Sequence, residues 1–275
     1  MMTKRSKNVP FVSIVILCLI VLCCVFAGII AKKDPGYLDL LNCNKAPNKE
    51  FWFGTDSLGR DLFADIWYGG RVSLTIGFTA TLIATGIAIL YGAISGLASA
   101  KIDSLLMRIT EIILSVPNLL IIVFLQAILG QATVFSISAV IGFTSWCSIA
   151  KVVRTEVRQI RNSEYVIASK SMGGGFFHIL LQHLLPNFIS SIMFMVVMNV
   201  RSAIVAESTL SFMGLGLPID VISWGSMLSL SNKAFMTKSW WVIFVPGLFL
   251  IGLLLCLTNI GNWIRREGNP KDSNL

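Results

Sequence analysis

The chain alternates between long, continuous apolar runs and shorter polar connections. Six apolar runs approach or exceed the roughly 20 residues that a helix needs to cross a bilayer. They cover approximately residues 10–31, 72–100, 105–129, 133–153, 188–217 and 240–263. The strands of a membrane barrel would alternate apolar and polar residues, whereas these runs are continuous. The pattern therefore predicts an all-α polytopic membrane protein with six transmembrane helices.

The composition and the charge agree with this fold class. Hydrophobic residues make up 55% of the 275 residues and charged residues only 13%, which is far from the balance of a soluble domain. The net charge of +8 would also suit a nucleic-acid-binding protein, but the basic residues flank apolar runs instead of alternating with aromatic residues. We therefore expect no nucleic-acid partner. Five of the six cysteines lie within apolar runs, and their spacing predicts neither a disulfide framework nor a metal site.

The positions of the basic residues predict the topology. The first apolar run is longer than the roughly 7–15 residues of a signal-peptide core, so we interpret it as an uncleaved helix with its N-terminus inside. The polar connections then alternate, and the inside carries most of the basic residues, as the positive-inside rule requires. The inside residues are Lys4, Arg5, Lys7, Lys101, Arg108, Lys151, Arg154, Arg158, Arg161, Lys170, Arg265, Arg266 and Lys271, against Lys233 and Lys238 in the last outside loop. The outside segment 32–71 is the exception, with six basic residues balanced by six acidic ones.

These assignments divide the chain into five parts, with both termini in the cytoplasm. They are a cytoplasmic N-terminus (1–9), a first transmembrane helix (10–31), an extracytoplasmic segment (32–71), a five-helix core (72–263) and a cytoplasmic tail (264–275). The core includes a long cytoplasmic loop at 154–187. Pro117 and Pro246 lie within apolar runs, where we expect each to bend its helix.

The outside segment ends in an amphipathic stretch, DLFADIWY. In a helix, Leu62, Phe63, Ile66 and Trp67 would form one stripe opposite Asp61 and Asp65, which is typical of a short helix lying in the membrane interface. We expect Tyr68-Gly69-Gly70 to turn the chain into the next span.

The long cytoplasmic loop predicts a helix, a glycine break and a second helix. Asn162 or Ser163 can cap the first helix, and Glu164 lies favourably near its N-terminal end. On this helix Tyr165, Ala168, Ser169 and Met172 share one face with small residues at its centre, which suits a helix that enters a groove on another protein. Gly173, Gly174 and Gly175 break the helix, and the next piece runs to Pro186 at the start of the fifth span.

The same loop resembles the EAA loop of binding-protein-dependent ABC permeases. That motif reads E-A-A, three residues, Gly, nine residues, Ile, one residue, Leu-Pro. The sequence keeps its spacing with Ile167-Ala168-Ser169, Gly173, His183 and Leu185-Pro186. It differs at Ile167 in place of Glu, at Ser169 in place of Ala and at His183 in place of Ile. Glu164, nearly one turn before Ile167, supplies a carboxylate nearby.

Two further stretches are similar to the peptide and nickel branch of that family. FGTDSLGRDLFADIWYGGRVSLTIG, at 53–77, resembles its outside signature, and ESTLSFMGLGLP with Trp224-Gly225 resembles the end of its fifth helix. With Pro246-Gly247 and Asn259, the resemblance covers most of residues 51–270. In the C-terminal stretch NWIRREGNP, Asn262 stands where the family usually has Asp.

The resemblance implies a transport subunit and not an enzyme, in the plasma membrane of a prokaryote. It implies a heterodimer with a second related permease, two cytoplasmic ATPase subunits that bind ATP and Mg, and an extracytoplasmic substrate-binding protein. The cargo would be a short peptide, or nickel or a metal chelate. The ATPase-docking residues would be Glu164, Tyr165, Ala168, Ser169, Met172 and Gly173. No cofactor is expected in this chain.

The residues themselves predict no catalytic or metal site. A nucleotide site of the P-loop type needs a Lys after its last glycine, and the triple glycine is followed by Phe176. His178 and His183 are five residues apart, whereas zinc ligands on one helix face are about four apart. Met193, Met195, Met198 and Met213 could ligate a soft metal, but packing explains them better.

Two charged residues lie inside the fifth apolar run. Charges within a span are costly and usually face a pore or a partner. We assign Arg201 and Glu207 as candidates for the translocation path or a partner contact. Six residues apart, they point to different helix faces and are not expected to pair with each other.

Two other functions remain open at this point. An ion-coupled secondary transporter would act without an ATPase, but that class tends to have inverted repeats and interrupted helices with buried ionisable residues. A non-transporting membrane scaffold is the other alternative. The secondary transporter would leave the cytoplasmic loop unexplained, and a neighbouring gene for an ATPase would speak against both alternatives.

Overall fold

The computed structural model describes residues 9–31, 33–218 and 220–268. Within them the secondary structure is helical, apart from one isolated antiparallel bridge between Thr55 and Asp61. The predicted all-α fold is confirmed. Several basic residues of the topology argument lie outside the described residues, namely Lys4, Arg5, Lys7 and Lys271, and so does the side chain of Lys233.

The described residues form twelve α-helical segments, labelled in chain order. They are α1 (Phe11–Val25), α2 (Ala27–Ile30), α3 (Leu62–Leu97), α4 (Ala100–Ser115), α5 (Asn118–Leu129), α6 (Val134–Ile160), α7 (Glu164–Ser171), α8 (Phe176–Ile179), α9 (Leu185–Phe212), α10 (Trp224–Ser229), α11 (Ser231–Met236) and α12 (Trp241–Gly268). A 3₁₀ turn spans Leu40–Asn42, and a π-helical segment, Leu180–Leu184, joins α8 to α9.

Among the described residues, four helices are long and apolar enough to span a membrane. They are Leu62–Leu97, Val134–Ile160, Phe176–Phe212 and Trp241–Glu267. Helices α4 and α5 pass the same test together, with a bend of 86° between them, and α1 is an apolar helix of 15 residues. The six-span count and the cytoplasmic termini remain predictions. The predicted bend at Pro117 is confirmed, because Pro117 lies at the break and caps α5.

The separate interfacial helix at the end of the outside segment was a wrong prediction. Tyr68, Gly69 and Gly70 do not turn the chain, because α3 runs unbroken from Leu62 to Leu97. A Cβ on Gly70 would lie 2.6 Å from the Cys24 Sγ atom and 2.7 Å from the Trp224 ring, so the glycine permits close packing. That packing offsets the cost of glycine in a helix, about 1 kcal/mol.

The polar stripe predicted for this stretch was also wrong. Asp65 is only 1% exposed, like Leu62 on the face assigned to the opposite side. Arg60 places a positive charge 3.7 Å from this carboxylate, and the Gly36 N–H donates one hydrogen bond to it over 3.4 Å, contacts that a helical pattern does not reveal.

Other predicted boundaries are corrected by the structure. The first apolar run is interrupted at Phe26 between α1 and α2. The fourth helix continues past 153 to Ile160, so the segment predicted to be a cytoplasmic loop from 154 begins as helix. The fifth helix does not start after Pro186, because α9 contains that proline and follows directly on the π-helical segment. The loop after residue 217, predicted to lie outside, contains two unpredicted short helices, α10 and α11.

The chain divides into two compact units. The first comprises Met1–Leu74 and Ser211–Leu275, and the second Thr75–Leu210. In the first unit, α12 packs on α1 and α10. Trp224 is fully buried, and its indole N–H donates to the carbonyl oxygen of Ile66 over 2.8 Å. Long-range hydrogen bonds of this kind satisfy a polar group that burial would otherwise penalise.

A buried ionic cluster organises the segment of the first unit that is predicted to lie outside. We call Arg60 with Asp56 and Asp65 the Arg60 cluster. The Arg60 Nε atom lies 2.7 Å from an Asp56 carboxylate oxygen and 3.7 Å from one of Asp65. All three side chains are at most 7% exposed. Asp56 also accepts backbone N–H groups from Leu58 and Arg60 itself, so it fixes the local turn.

The core of the second unit is built where α3, α6 and the start of α9 meet. Ala84 and Ala88 of α3 are fully buried against a cluster that includes Ala150 and Val153 of α6. Small side chains let two membrane helices approach closely. Gly92 shows how closely, because a Cβ there would lie 2.6 Å from the carbonyl oxygen of Ala150.

Candidate functional site

The loop predicted to be cytoplasmic contains the predicted short helix, α7, which spans Glu164–Ser171. Its N-cap is Ser163, one of the two residues predicted, in an extended backbone conformation. The Ser163 hydroxyl does not accept a hydrogen bond from the helix but donates to the carbonyl oxygen of Ile160 over 2.7 Å. Ser163 thereby closes the end of α6, and Glu164 occupies the first turn of α7, where the helix dipole favours an acid.

The glycines end α7 as predicted. Gly173 has a φ of 86°, a left-handed conformation that glycine adopts without steric cost. The Gly173 N–H donates to the Lys170 carbonyl, and the Gly174 N–H donates to the Ser169 carbonyl. These two bonds form a Schellman motif, which satisfies the last carbonyls of a helix and stops it. The length of α7 is therefore set by local sequence.

The side chains of α7 divide into a buried face and an exposed face. Val166 is fully buried and Ser169 is 4% exposed. Tyr165, Ile167 and Met172 are 43%, 52% and 82% exposed. Glu164, Ala168, Lys170, Ser171 and Gly173 are exposed as well. The sequence predicted one common face for Tyr165, Ala168, Ser169 and Met172. This prediction is wrong for Ser169, which lies on the buried side.

Val166 fixes α7 to the rest of the second unit. It belongs to the same buried cluster as Val153 and Val157 of α6 and Leu184 and Phe188 around the start of α9. Interiors packed in this way transmit displacement with little compression. A force applied to the exposed face of α7 is therefore passed to α6 and α9 instead of being absorbed by a mobile loop.

The two histidines lie beside α7. The ring centroids of His178 and His183 are 5.8 Å apart, and the His183 ring lies 5.8 Å from that of Tyr165. These edge-on and tilted ring contacts connect the exposed face of α7 to the π-helical segment. Among the described residues, no group of three His, Cys, Asp or Glu side chains is placed to hold a metal ion.

Sequence reasoning missed a second ionic cluster, near the C-terminal ends of α3 and α6 and the start of α4. We call it the Asp103 cluster: Asp103 of α4, Arg154 and Arg158 of α6, and Ser95 of α3. Both carboxylate oxygens of Asp103 accept from the guanidinium of Arg154. Arg158 Nη1 lies 2.9 Å from the carboxylate, and the Ser95 hydroxyl donates over 2.7 Å. The i,i+4 spacing of the arginines was the available signal, but it was attributed to topology alone.

The two charged residues of the fifth apolar run both lie on α9, in different surroundings. The Arg201 Nε atom is buried and has no hydrogen-bond partner among the described residues. Glu207 is fully buried, and the Ser208 hydroxyl lies 3.4 Å from its carboxylate. The structure shows no ion pair between Arg201 and Glu207 in the described part of the chain. Their assignment to the path or to a partner contact remains a prediction.

Comparison with known proteins decides the family. Residues 88–267 match the family model described as binding-protein-dependent transport system inner membrane component. The chain belongs to this family. This permease is 36% identical to the oligopeptide transport system permease protein OppC of Bacillus subtilis over 271 residues, covering 98% of the chain and 88% of the relative. It is also 38% identical to the dipeptide transport system permease protein DppC of the same organism over 228 residues, covering 83% and 71%.

A solved structure supports the fold. The permease is similar to a chain of the MetNI methionine ABC transporter in inward-facing conformations, with a TM-score of 0.59 and 17% identity. The match covers 74% of this permease and 96% of that chain. At this identity the likeness concerns the fold, and it confirms that of an ABC transporter permease. The protein is therefore a multi-pass membrane component of a binding-protein-dependent transporter.

Proposed function

We propose that this permease forms, with a second related permease, the path through which an ATP-driven importer takes up a short peptide. The names of both Bacillus subtilis relatives describe peptide transport systems, which favours a peptide over nickel or a metal chelate. An extracytoplasmic binding protein would deliver the cargo. Two cytoplasmic ATPase subunits would bind ATP and Mg and carry out hydrolysis, so this chain needs no catalytic residue or cofactor of its own.

The geometry of α7 is the observation that supports docking onto an ATPase. Its exposed residues, Tyr165, Ala168 and Met172, are presented on a helix whose opposite side is anchored by Val166 in the packed core. A short helix with one free face suits insertion into a groove on a partner. We assign Glu164, Tyr165, Ala168, Met172 and Gly173 to the ATPase contact and Ser169 to the support behind it.

The mechanism follows from differential affinity. ATP that binds more tightly to a closed pair of ATPases than to an open pair shifts the pair towards closure. Two α7 helices seated in the ATPases would move with that closure. Because α7 is packed on α6 and α9, the displacement would reorient the spans and change the side from which the path is open.

Cysteine cross-linking tests the docking assignment. The endogenous cysteines are replaced, and Ala168→Cys is paired with a single cysteine in the groove of the co-expressed ATPase. We expect a cross-link whose yield changes with ATP. Ser169→Cys is the matched control one residue away, and its burial predicts little cross-linking. Absence of a cross-link from both Ala168→Cys and Met172→Cys in a complex shown to be assembled would refute the docking assignment.

Uptake measurements separate this proposal from an ion-coupled secondary transporter. In proteoliposomes, peptide uptake should require ATP and should persist when ionophores remove ion gradients. Uptake that follows an ion gradient without ATP would support the alternative.

A further inference from the structure

A cleft in the second unit is lined by uncharged residues, several of which carry hydroxyl or amide groups. Its volume is about 350 Å³, within the range of small-molecule pockets. It lies among the break between α4 and α5, the middle of α6 and the middle of α9. None of the described residues that line it carries a charge.

The helix break brings unpaired backbone groups to this cleft. Val116, Pro117 and Asn118 all line it. Val116 donates only a long, 3.4 Å bond to the Ile113 carbonyl, and Pro117 has no N–H. The last carbonyls of α4 and the first N–H groups of α5 therefore lack complete intrahelical pairing. Non-helical backbone at membrane depth is tolerated where it lines a polar cavity.

Helix α6 contributes hydroxyl groups to the same cleft. Thr144 and Ser145 each donate to the Ile141 carbonyl, over 3.0 Å and 2.7 Å. Their oxygen lone pairs remain able to accept hydrogen bonds from a ligand. Ser148, one turn further along, is exposed at the cleft.

Helix α9 contributes an amide held in a fixed position. Asn199 is 9% exposed; its carbonyl oxygen accepts from the Thr81 hydroxyl, and its amide donates to the Ser145 carbonyl, both over 3.3 Å. A primary amide has two hydrogens to donate, so one remains for a ligand. Ser202, one turn further along, lies exposed at the cleft.

We propose that this cleft is the part of the transport path that binds the main-chain amides of the peptide, through Ser145, Ser148, Asn199 and Ser202. The inference rests on the proposed function and adds the recognition chemistry. Neutral donors and acceptors match the N–H and C=O groups common to all peptides, and they impose no charge requirement on cargo side chains. Because a neutral hydrogen bond contributes only about 1 kcal/mol net, such a site holds cargo weakly enough to release it.

The test measures how far uptake depends on a peptide N–H group. Proteoliposomes contain the assembled transporter with its binding protein, and the probes are trialanine and trialanine methylated at the central amide nitrogen. The variants are Ser148→Val and Asn199→Leu. Ser190→Val, an exposed serine on α9 away from the cleft, is the matched control.

We expect each cleft variant to slow trialanine uptake about threefold to tenfold, the effect of losing about one hydrogen bond. The wild type should take up trialanine in preference to its methylated form. In the cleft variants this uptake preference should fall towards the binding preference of the isolated binding protein, which is measured separately. The control should keep both the rate and the preference of the wild type. Ser148 is exposed, so its variant keeps the test decisive even if Asn199→Leu does not assemble.

The outcomes distinguish the inference from the function on which it rests. If the wild-type complex takes up trialanine with ATP and Ser148→Val keeps the wild-type rate and preference, the inference is overturned while the proposed function stands. If the assembled wild-type complex takes up no peptide at all, both are overturned.

Discussion

The Arg60 cluster and the Asp103 cluster both stabilise buried carboxylates with arginine, but their arrangements of charge are opposite. In the first, one cation lies between two carboxylates, and all three side chains are almost completely buried. In the second, one buried carboxylate is held by two arginines whose side chains are 24% and 38% exposed. Removing the central charge therefore leaves buried charges in one cluster and partly hydrated charges in the other. Removing the central charge should therefore lower the free energy of unfolding more in the Arg60 cluster than in the Asp103 cluster.

The clusters also differ in what they connect. Asp56 and Arg60 are four residues apart, and the cluster shapes a turn of the outside segment. Asp103, Arg154 and Ser95 come from three helices of the second unit, so that cluster ties helices together. Local contacts build a loop, whereas distant contacts fix the packing of spans.

The largest expected effect comes from the turn that presents Arg60. Gly59 has a φ of 77°, and a Cβ there would lie 1.8 Å from the Asp39 carbonyl oxygen. Because both groups are backbone, neither can move aside. We expect Gly59→Ala to lower the free energy of unfolding by about 4 kcal/mol or more, measured by denaturation in mixed micelles. Gly130→Ala is the control, since Gly130 has a similar φ and no neighbour within 4 Å; an equal loss in both would show that the clash is relieved.

Arg60→Gln should have the next largest effect. It leaves Asp56 and Asp65 buried without their cation, which costs about 3–5 kcal/mol. Arg60→Gln combined with Asp65→Asn should recover part of the loss, because one uncompensated carboxylate is removed. Unfolding curves of the two variants would show this recovery, and a further loss in the double variant would contradict the cluster.

Asp103→Asn should cost less, about 2 kcal/mol, because Arg154 and Arg158 can turn towards water once the carboxylate is gone. A double-mutant cycle with Arg154→Gln isolates the pair, and we expect a coupling free energy of about 1 kcal/mol. If Asp103→Asn lowered the free energy of unfolding more than Arg60→Gln, the explanation by hydration of the remaining charges would be wrong.

Arg158→Gln should have the smallest effect, below about 1 kcal/mol, as for a partly exposed ion pair. Raising the salt concentration should reduce the difference between this variant and the wild type, because salt screens exposed charges. A loss as large as that of Asp103→Asn would show that Arg158, and not Arg154, is the main partner.

What the sequence predicted correctly was determined by neighbouring residues. The start of α7 at Ser163 and its end at Gly173 depend on local capping chemistry, and the bend at Pro117 depends on a missing N–H group. The apolar runs were recognisable because lipid requires them. The family resemblance rested on motifs whose spacing survives in the sequence.

What the sequence did not predict depends on distant contacts. Gly69 and Gly70 signal a turn locally, but the helix continues because other residues pack where a side chain is missing. Ile222 and Ser223 lie against Gly69, and Cys24 and Trp224 lie against Gly70. The position of Asp65 in the helical pattern is typical of an exposed residue, but its side chain is buried beside that of Arg60. The exposure of Ala168 and the burial of Ser169 depend on what covers Val166, which only the tertiary structure shows.

The π-helical segment Leu180–Leu184 has an evolutionary consequence. A π segment contains one residue more than the α-helical turn that it replaces, so it corresponds to a single-residue insertion between α7 and α9. Deleting one residue there would restore a regular helix and rotate everything before it by about 100° around the axis of α9. The face that α7 presents would rotate with it. Relatives that dock onto the same kind of partner should therefore keep the length of this segment more strictly than the identity of its residues.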